Sequence, residues 1–439
     1  VSFVATTLQN NASKQGQDMS RITLLVLLQL ALFVSQAAAF PAYVPDKNDW
    51  PWWRGTNRNG VAAAGQRVPT KWSEKQNVLW KTPLPGRGHS SPTVVGNRIF
   101  LATADEPRQI QSVVALDRAT GKPLWQTEIS RGGFPKTHRK NTHATCTVAC
   151  DGERLFVAFH HNARLTLAAL DLDGKKVWSK EIGPFNPKVY EYGYAPSPVI
   201  YGSTVIVSAD YEKGGYIAAY DRETGKRAWQ TARPEKLSFS SPVVANVAGR
   251  DQLLISGCEL LSSYNPKTGD KLWAFPGTTM ATCGTMVWTD NLVFASGGYP
   301  KAETICMKAD GSGEVVWKNR KKCYEQSMLA HDGYIYALTD QGIANCWRAS
   351  DGTQMWRERL AGPVSASPVL VGDTIYQPIE NGTMFVYKAN PKKFELVARN
   401  SLGNAGFASP TICGNRIYLR TATKVYGKRQ EVLYCLGSR

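Results

Sequence analysis

Adjacent cysteines are missing from this sequence, and so is any Cys-x-x-Cys-His run; the second absence excludes covalent attachment of a c-type haem. Histidine is sparse at six, and no tight spacing of His and Cys ligands marks a metal site. Acidic residues are few, 35 Asp+Glu against 52 Lys+Arg, so the formal charge is +17. Only the stretch from Ile22 to Val34 is apolar enough to meet a bilayer, which excludes a polytopic helical membrane protein. With 43% hydrophobic and 20% charged residues, the chain is equally far from a disordered polyelectrolyte. A length of 439 residues suggests about three ordinary domains, unless repeats build a single large one. Tryptophan, at 13, is plentiful.

The apolar stretch has a specific anatomy. Val1 to Asp18 is polar and patternless, Met19 is followed by Ser20-Arg21, then by the apolar run, then by Ala37-Ala38-Ala39. A short positive region, an apolar core and a small-residue cleavage site make a secretory signal. The expectation is that residues 1–18 precede the true start at Met19, that 19–39 are removed, and that the mature chain begins at Phe40. A valine start fits a bacterial gene. The run is short for an uncleaved anchor, which needs about 20 residues, and no Cys near the cleavage site offers a lipid attachment point. The expected location is the periplasm or the cell exterior, peripheral to the outer membrane at most. The basic surface favours acidic partners such as anionic lipid headgroups or acidic polysaccharide. Lys and Arg are nevertheless spread along the chain, and an exported protein is not expected to meet nucleic acid.

Self-similarity replaces the several domains by one. Ser91-Pro92-Thr93-Val94-Val95 recurs as Ser197-Pro198-Val199-Ile200, Ser241-Pro242-Val243-Val244, Ser367-Pro368-Val369-Leu370 and Ser409-Pro410-Thr411-Ile412. Two further β-type runs follow each of these, then a turn and a Trp strand. Trp80, Trp125, Trp178, Trp229, Trp273, Trp317 and Trp356 recur at intervals of 39 to 53 residues, and Val397 takes the next equivalent place. Four short strands per unit at a period of about 40 to 50 residues predict β-propeller blades. The chain beyond Phe407 supplies three strands without a fourth, and Asn77 to Lys81 supplies the fourth from the other end. The reading is an all-β, eight-bladed propeller of four-stranded antiparallel blades over residues 72–439, closed by an N-terminal strand that leaves no exposed sheet edge at the seam. Asp117, Asp221 and Asn265 precede turns in which Gly121, Gly225 and Gly269 supply φ > 0. The register tryptophans pack between neighbouring sheets. The preceding segment, 40–71, holds Trp50-Pro51-Trp52-Trp53, too apolar to stay solvated; it folds back on the propeller or docks a partner.

Ala115-Leu116-Asp117-Arg118-Ala119-Thr120-Gly121-Lys122-Pro123-Leu124-Trp125 resembles the A-x-D-x-x-T-G-x-x-x-W docking motif of the pyrroloquinoline-quinone (PQQ) propeller repeat. Ala219 to Trp229 matches it again in full, Ser263 to Trp273 is a close variant, and Ala169 to Trp178 is one residue short. The chain from Trp72 to Leu436 thus resembles the quinoprotein-alcohol-dehydrogenase-like propellers. That family holds both PQQ-dependent dehydrogenases and non-enzymatic propellers such as BamB, a scaffold of outer-membrane β-barrel assembly. The dehydrogenases carry an adjacent cysteine pair against the cofactor, carboxylate and amide ligands for Ca²⁺, and an Asp base. With that cysteine pair missing, the resemblance implies no catalytic residues, no metal and no cofactor, with PQQ and Ca²⁺ disfavoured. It implies a BamB-like, exported, monomeric binding platform in the bacterial envelope, with envelope proteins, outer-membrane assembly components among them, as partners. A PQQ-dependent oxidoreductase and a polysaccharide- or anion-binding module stay open as alternatives.

Candidate binding residues cluster in the first blades. Five of the six histidines fall there, and His89 and His143 stand at first strands, where side chains approach the channel mouth. Arg87 lies beside His89, and Lys136, His138 and Arg139 occupy a long basic loop ending at His143. Tyr190, Tyr192 and Tyr194 precede the third blade and add aromatic surface. Together these residues suit an anionic or sugar-like ligand held by charge and stacking; the alternative is polar solvation of inter-blade loops. Cys146 and Cys150 share a strand-like run, about 13 Å apart and beyond disulfide reach. Cys258, Cys283, Cys306, Cys346, Cys413 and Cys435 also fall in strand-like runs, and Cys323 in a basic loop. Nine cysteines is an odd number, and buried thiols are expected.

Overall fold

A computed structural model describes residues 43–438; the signal-type segment and the polar stretch before it lie outside the described residues. Among the described residues the chain forms thirty-two strands and eight four-stranded antiparallel sheets. Blade 1 spans 93–131, blade 2 149–184, blade 3 199–232, blade 4 243–276, blade 5 287–319, blade 6 329–359 and blade 7 369–401. Blade 8 takes three strands from 411–436 and its outer strand from Val78–Leu84, which pairs with Lys428–Leu436 (Lys81 opposite Tyr434, Leu84 opposite Glu431). The eight-bladed ring and its N-terminal closure are as expected, with the closing strand starting one residue later than its sequence signal and running three residues beyond it, to Leu84.

The blade follows from local rules. Proline directly precedes the first strand in five blades, where its missing N–H costs no ladder bond. Middle strands such as Arg98–Asp105 and Ile110–Asp117 are buried nearly throughout. Outer strands alternate, and leave Leu124, Val177, Val315 and Leu396 exposed. The core therefore lies between blades: one cluster joins blades 1 to 3, and another joins blades 7, 8 and 1.

The turn before each outer strand locks blade to blade. Asp117 Oδ1 accepts from the Thr120 N–H (2.7 Å) and hydroxyl (2.6 Å), and Asp221 does the same with Thr224 (2.8 and 2.7 Å). Gly121 then turns at φ 72° against Trp80, where a Cβ would lie 2.4 Å from the indole. Trp125, Trp178, Trp229 and Trp317 lie on Gly174, Gly225, Gly269 and Gly352 in the same manner. Trp125, Trp178, Trp317 and Trp356 also donate Nε1–H to a carbonyl of the following blade, at 2.7–3.0 Å. Trp178 and Trp273 are buried; the other five remain half-exposed at the rim.

Two further devices are absent from that motif. A girdle of hydroxyls follows the axis in two arcs: the N–H groups of Ser91, Thr147 and Ser197 donate to the hydroxyls of Thr147, Ser197 and Ser241, at 3.2, 3.0 and 2.9 Å. Thr285, Ser327 and Ser367 donate likewise to Ser327, Ser367 and Ser409, at 3.1, 2.9 and 2.8 Å. The second device is a strap. Trp50 bonds Val94 in both directions (2.7 and 2.9 Å), Pro51 O accepts from Cys150, and Arg58 reaches Ile200 O. Trp53 Nε1 donates to Thr285 Oγ1 (2.8 Å) and Arg54 to Met328 O (2.7 Å), while Gly60 O and Ala62 N bracket Leu370. Arg67 and Gln66 bond Asn415, and Trp72 N donates to Asn400 Oδ1. The strap thus touches blades 1, 2, 3, 5, 6, 7 and 8.

Three cysteine placements differ from expectation. Cys146 precedes a strand only two residues long, Ala149–Cys150, because the chain there serves the girdle rather than a ladder. Cys258 and Cys283 lie in turns and loops between strands. All nine thiols are free, and Cys323, although in a basic loop, is fully buried.

Candidate functional site

At the end of the channel opposite the strap lies a cavity of about 270 Å³. Its construction is periodic. The floor is the hydroxyl girdle, with Ser91, Thr147, Ser197, Ser241, Ser367 and Ser409 facing the space and Trp53 of the strap closing it. Two residues before each girdle position, every blade contributes one wall side chain. In blade order these are His89, Thr145, Ala195, Phe239, Cys283, Glu325, Ser365 and Phe407, and all eight line the cavity. Longer loops add His138, Lys140, Asn141, Tyr192 and Tyr324.

The site's charges are largely matched internally. Lys140 Nζ lies 2.7 Å from Glu380 and 3.9 Å from Glu325, and Ser365 Oγ donates to Glu380 at 2.6 Å. Burial works against the Lys140 ammonium, but the Glu380 hydrogen bond and the neighbouring carboxylates prevail and raise its pKa. Burial, aided by Glu380 and Asp340, raises the Glu325 carboxyl against Ser365 and Lys140. His89 stacks on Phe407 (4.6 Å); burial, then Arg87, Arg420 and Arg429, hold its imidazole well below the usual range. His138 is lowered by burial and by Arg139 and Lys140. Cys283 is pushed well up by burial, so its thiol stays protonated.

Of the residues singled out from sequence, His89, His138 and Tyr192 line the cavity. Tyr190 stacks on Tyr192 (5.3 Å) at the rim and meets Tyr299 edge-on (5.5 Å). Arg87 is turned to Glu106 (3.4 Å) and to the carbonyl of Arg139 (3.0 Å). Lys136 and Arg139 are exposed, with Lys136 3.3 Å from Glu191. Two placements are corrected. Tyr194 is not aromatic surface: Gly193 turns the chain at φ 89°, and the ring is buried against Phe185 with its hydroxyl donating to Ser208 O (3.0 Å). His143 faces away from the mouth, stacked on Phe134 (4.2 Å) with Nε2 2.9 Å from Pro135 O. Lys140, Glu325, Phe239, Phe407 and Tyr324 line the cavity beyond the sequence expectation, and the two-residue offset from the Ser-Pro repeat reaches Phe239 and Phe407.

The eight blades, the interlocking turns and the cavity at the channel mouth define a propeller of the quinoprotein-alcohol-dehydrogenase-like class. Within it, the chain belongs to the family described as outer membrane protein assembly factor BamB, whose model matches residues 55–183 and 109–358. BamB of Burkholderia pseudomallei (strain K96243) is 24% identical over 386 residues, 83% of this chain and 92% of that protein. Quinohemoprotein alcohol dehydrogenase ADH IIB of Pseudomonas putida is 26% identical over 186 residues, 40% of this chain and 22% of that enzyme. A europium-containing methanol dehydrogenase superposes with a TM-score of 0.67 over 90% of this chain and 99% of its own, at 12% identity, a likeness of fold alone.

The dehydrogenase relatives raise PQQ and a metal as candidates for the mouth, and its residues do not fit them. The wall has one cysteine, not an adjacent pair. Of its acids, Glu380 is engaged by Lys140 and Ser365, and Glu325 stands alone on the wall ring, 3.9 Å from Lys140. Among the described residues no group of three or more His, Cys, Asp and Glu side chains is set to hold a metal.

Proposed function

We propose that this chain is an exported, non-catalytic binding platform of the bacterial cell envelope that holds protein components of outer-membrane assembly. The observation that carries the reading is the wall ring itself. It offers a protonated thiol, a neutral imidazole and two carboxylates that share one lysine, and so no activated nucleophile and, among the described residues, no metal-ligand set. The Burkholderia BamB, matched over nearly its full length, supports the same reading and suggests the class of partner. Export rests on the signal-type segment 19–39 and places the platform in the periplasm. Affinity capture of the tagged chain from envelope extracts tests this: a barrel-assembly component should co-purify in stoichiometric amount. Capture of no envelope protein under gentle extraction contradicts it.

A further inference from the structure

The wall ring has a geometry of its own. In an eightfold ring, blades 4 and 8 stand opposite each other and blade 6 stands midway between them. Phe239 and Phe407 therefore face each other across the mouth, with Glu325 set between them. Each aromatic wall is doubled, by Tyr192 on Phe239 (5.7 Å) and by His89 on Phe407 (4.6 Å). Glu325 is the one wall position of the eight with a charged side-chain type.

Its charge is also the one left short. Two carboxylates share a single lysine, and Lys140 is committed to Glu380 at 2.7 Å while Glu325 stands 3.9 Å away, with its side chain only 26% exposed. Among the described residues the neighbouring cations are spent elsewhere: Arg87 pairs with Glu106, and Lys322 with Asp340 (3.4 Å). The imidazoles of His89 and His138 are neutral, and Arg139 stands at the exposed rim. Buried charge without a full partner is costly, and aromatic faces attract cations.

We propose that the channel mouth is a binding site for an organic cation, an ammonium or guanidinium that enters between the Phe239 and Phe407 walls and pairs with the Glu325 carboxylate. Burial raises that carboxyl, so in mild acid a proton competes with the cation and binding weakens as pH falls through the raised value. The cation is supplied either as a free small molecule or as a Lys or Arg side chain on an extended segment of a partner protein. The site does not depend on the outer-membrane reading, and failure of either leaves the other standing.

Calorimetric titration of the full chain tests it with choline, butylguanidinium, the uncharged choline isostere 3,3-dimethylbutanol, and the peptide Gly-Gly-Arg-Gly-Gly. The cations should bind saturably and the isostere should not. Glu325→Gln should weaken binding by about tenfold or more, the effect of losing one charge-assisted contact. Phe407→Ala should weaken it by a smaller factor, with melting temperatures checking both folds. Tighter binding of the peptide than of free butylguanidinium assigns the site to a partner's side chain, and the reverse order to a small molecule. Equal binding of the isostere, unchanged affinity in a folded Glu325→Gln protein, or no cation binding at all overturns the proposal.

Discussion

At the scale of single residues, the molecule holds several ionisable groups in their uncharged forms, and this gives its stability a pH signature. His160 is 5% exposed, packed edge-on against Phe185 at 4.9 Å, and burial lowers its pKa to about 4. Between that value and the usual 6.5, the unfolded chain binds a proton that the folded chain refuses. Stability is therefore expected to fall as pH drops from about 6.5 towards 4, by an order of about 2–3 kcal/mol for this group. The lowered His89 adds to the same slope, while the raised Glu325 carboxyl acts with the opposite sign over the carboxylate range. Denaturant titrations at pH 7 and pH 5 check the point: His160→Leu should flatten the difference between them, and an unchanged difference would remove His160 from the account. The same scale shows what sequence could not supply. Tyr190, Tyr192 and Tyr194 alternate as a strand face would, and only the left-handed Gly193 sends Tyr194 inward. Nothing local marks Glu325, because its partner Lys140 and the competing acid Glu380 lie far away along the chain.

At the scale of elements, what was legible was whatever the blades share. The Ser-Pro starts, the Asp-Thr-Gly turns and the register tryptophans recur because every blade solves the same packing problem, and they gave the blade count and the closing strand. The mouth was illegible for the complementary reason. Its eight wall positions hold seven different residue types, so a search for recurrence passes over them. The strap was visible as tryptophans needing cover, but its route across seven blades depends on backbone bonds that no pattern announces. The closing strand makes a direct prediction. Val78–Leu84 covers the outer edge of Lys428–Leu436, and that edge also carries Glu431, buried against Arg420 (3.1 Å), whose Nη1 reaches Ala102 O of blade 1 at 2.8 Å. Deleting residues 77–81 should expose the edge, loosen that junction and cost about 3 kcal/mol or more, the range of severe lesions. Thermal unfolding unaltered by the deletion would contradict closure by this strand.

At the scale of the whole molecule, one chain is locked at its seam by Val78–Leu84, around its axis by the girdle and across one end by the strap. At the other end lies a mouth whose wall chemistry differs from blade to blade. The fold is common to a dehydrogenase of high structural likeness and to an assembly factor, and fold alone does not choose between them; the proposed choice rests on the wall residues. The measurement that bears most directly on a non-catalytic platform is the thermal melt of the purified chain with and without PQQ and Ca²⁺, read alongside dye-linked oxidation of alcohols and sugars. A ligand held by the native state raises the melting temperature by linkage. The account predicts neither a shift nor turnover. A saturable melting shift accompanied by PQQ-dependent oxidation would contradict it.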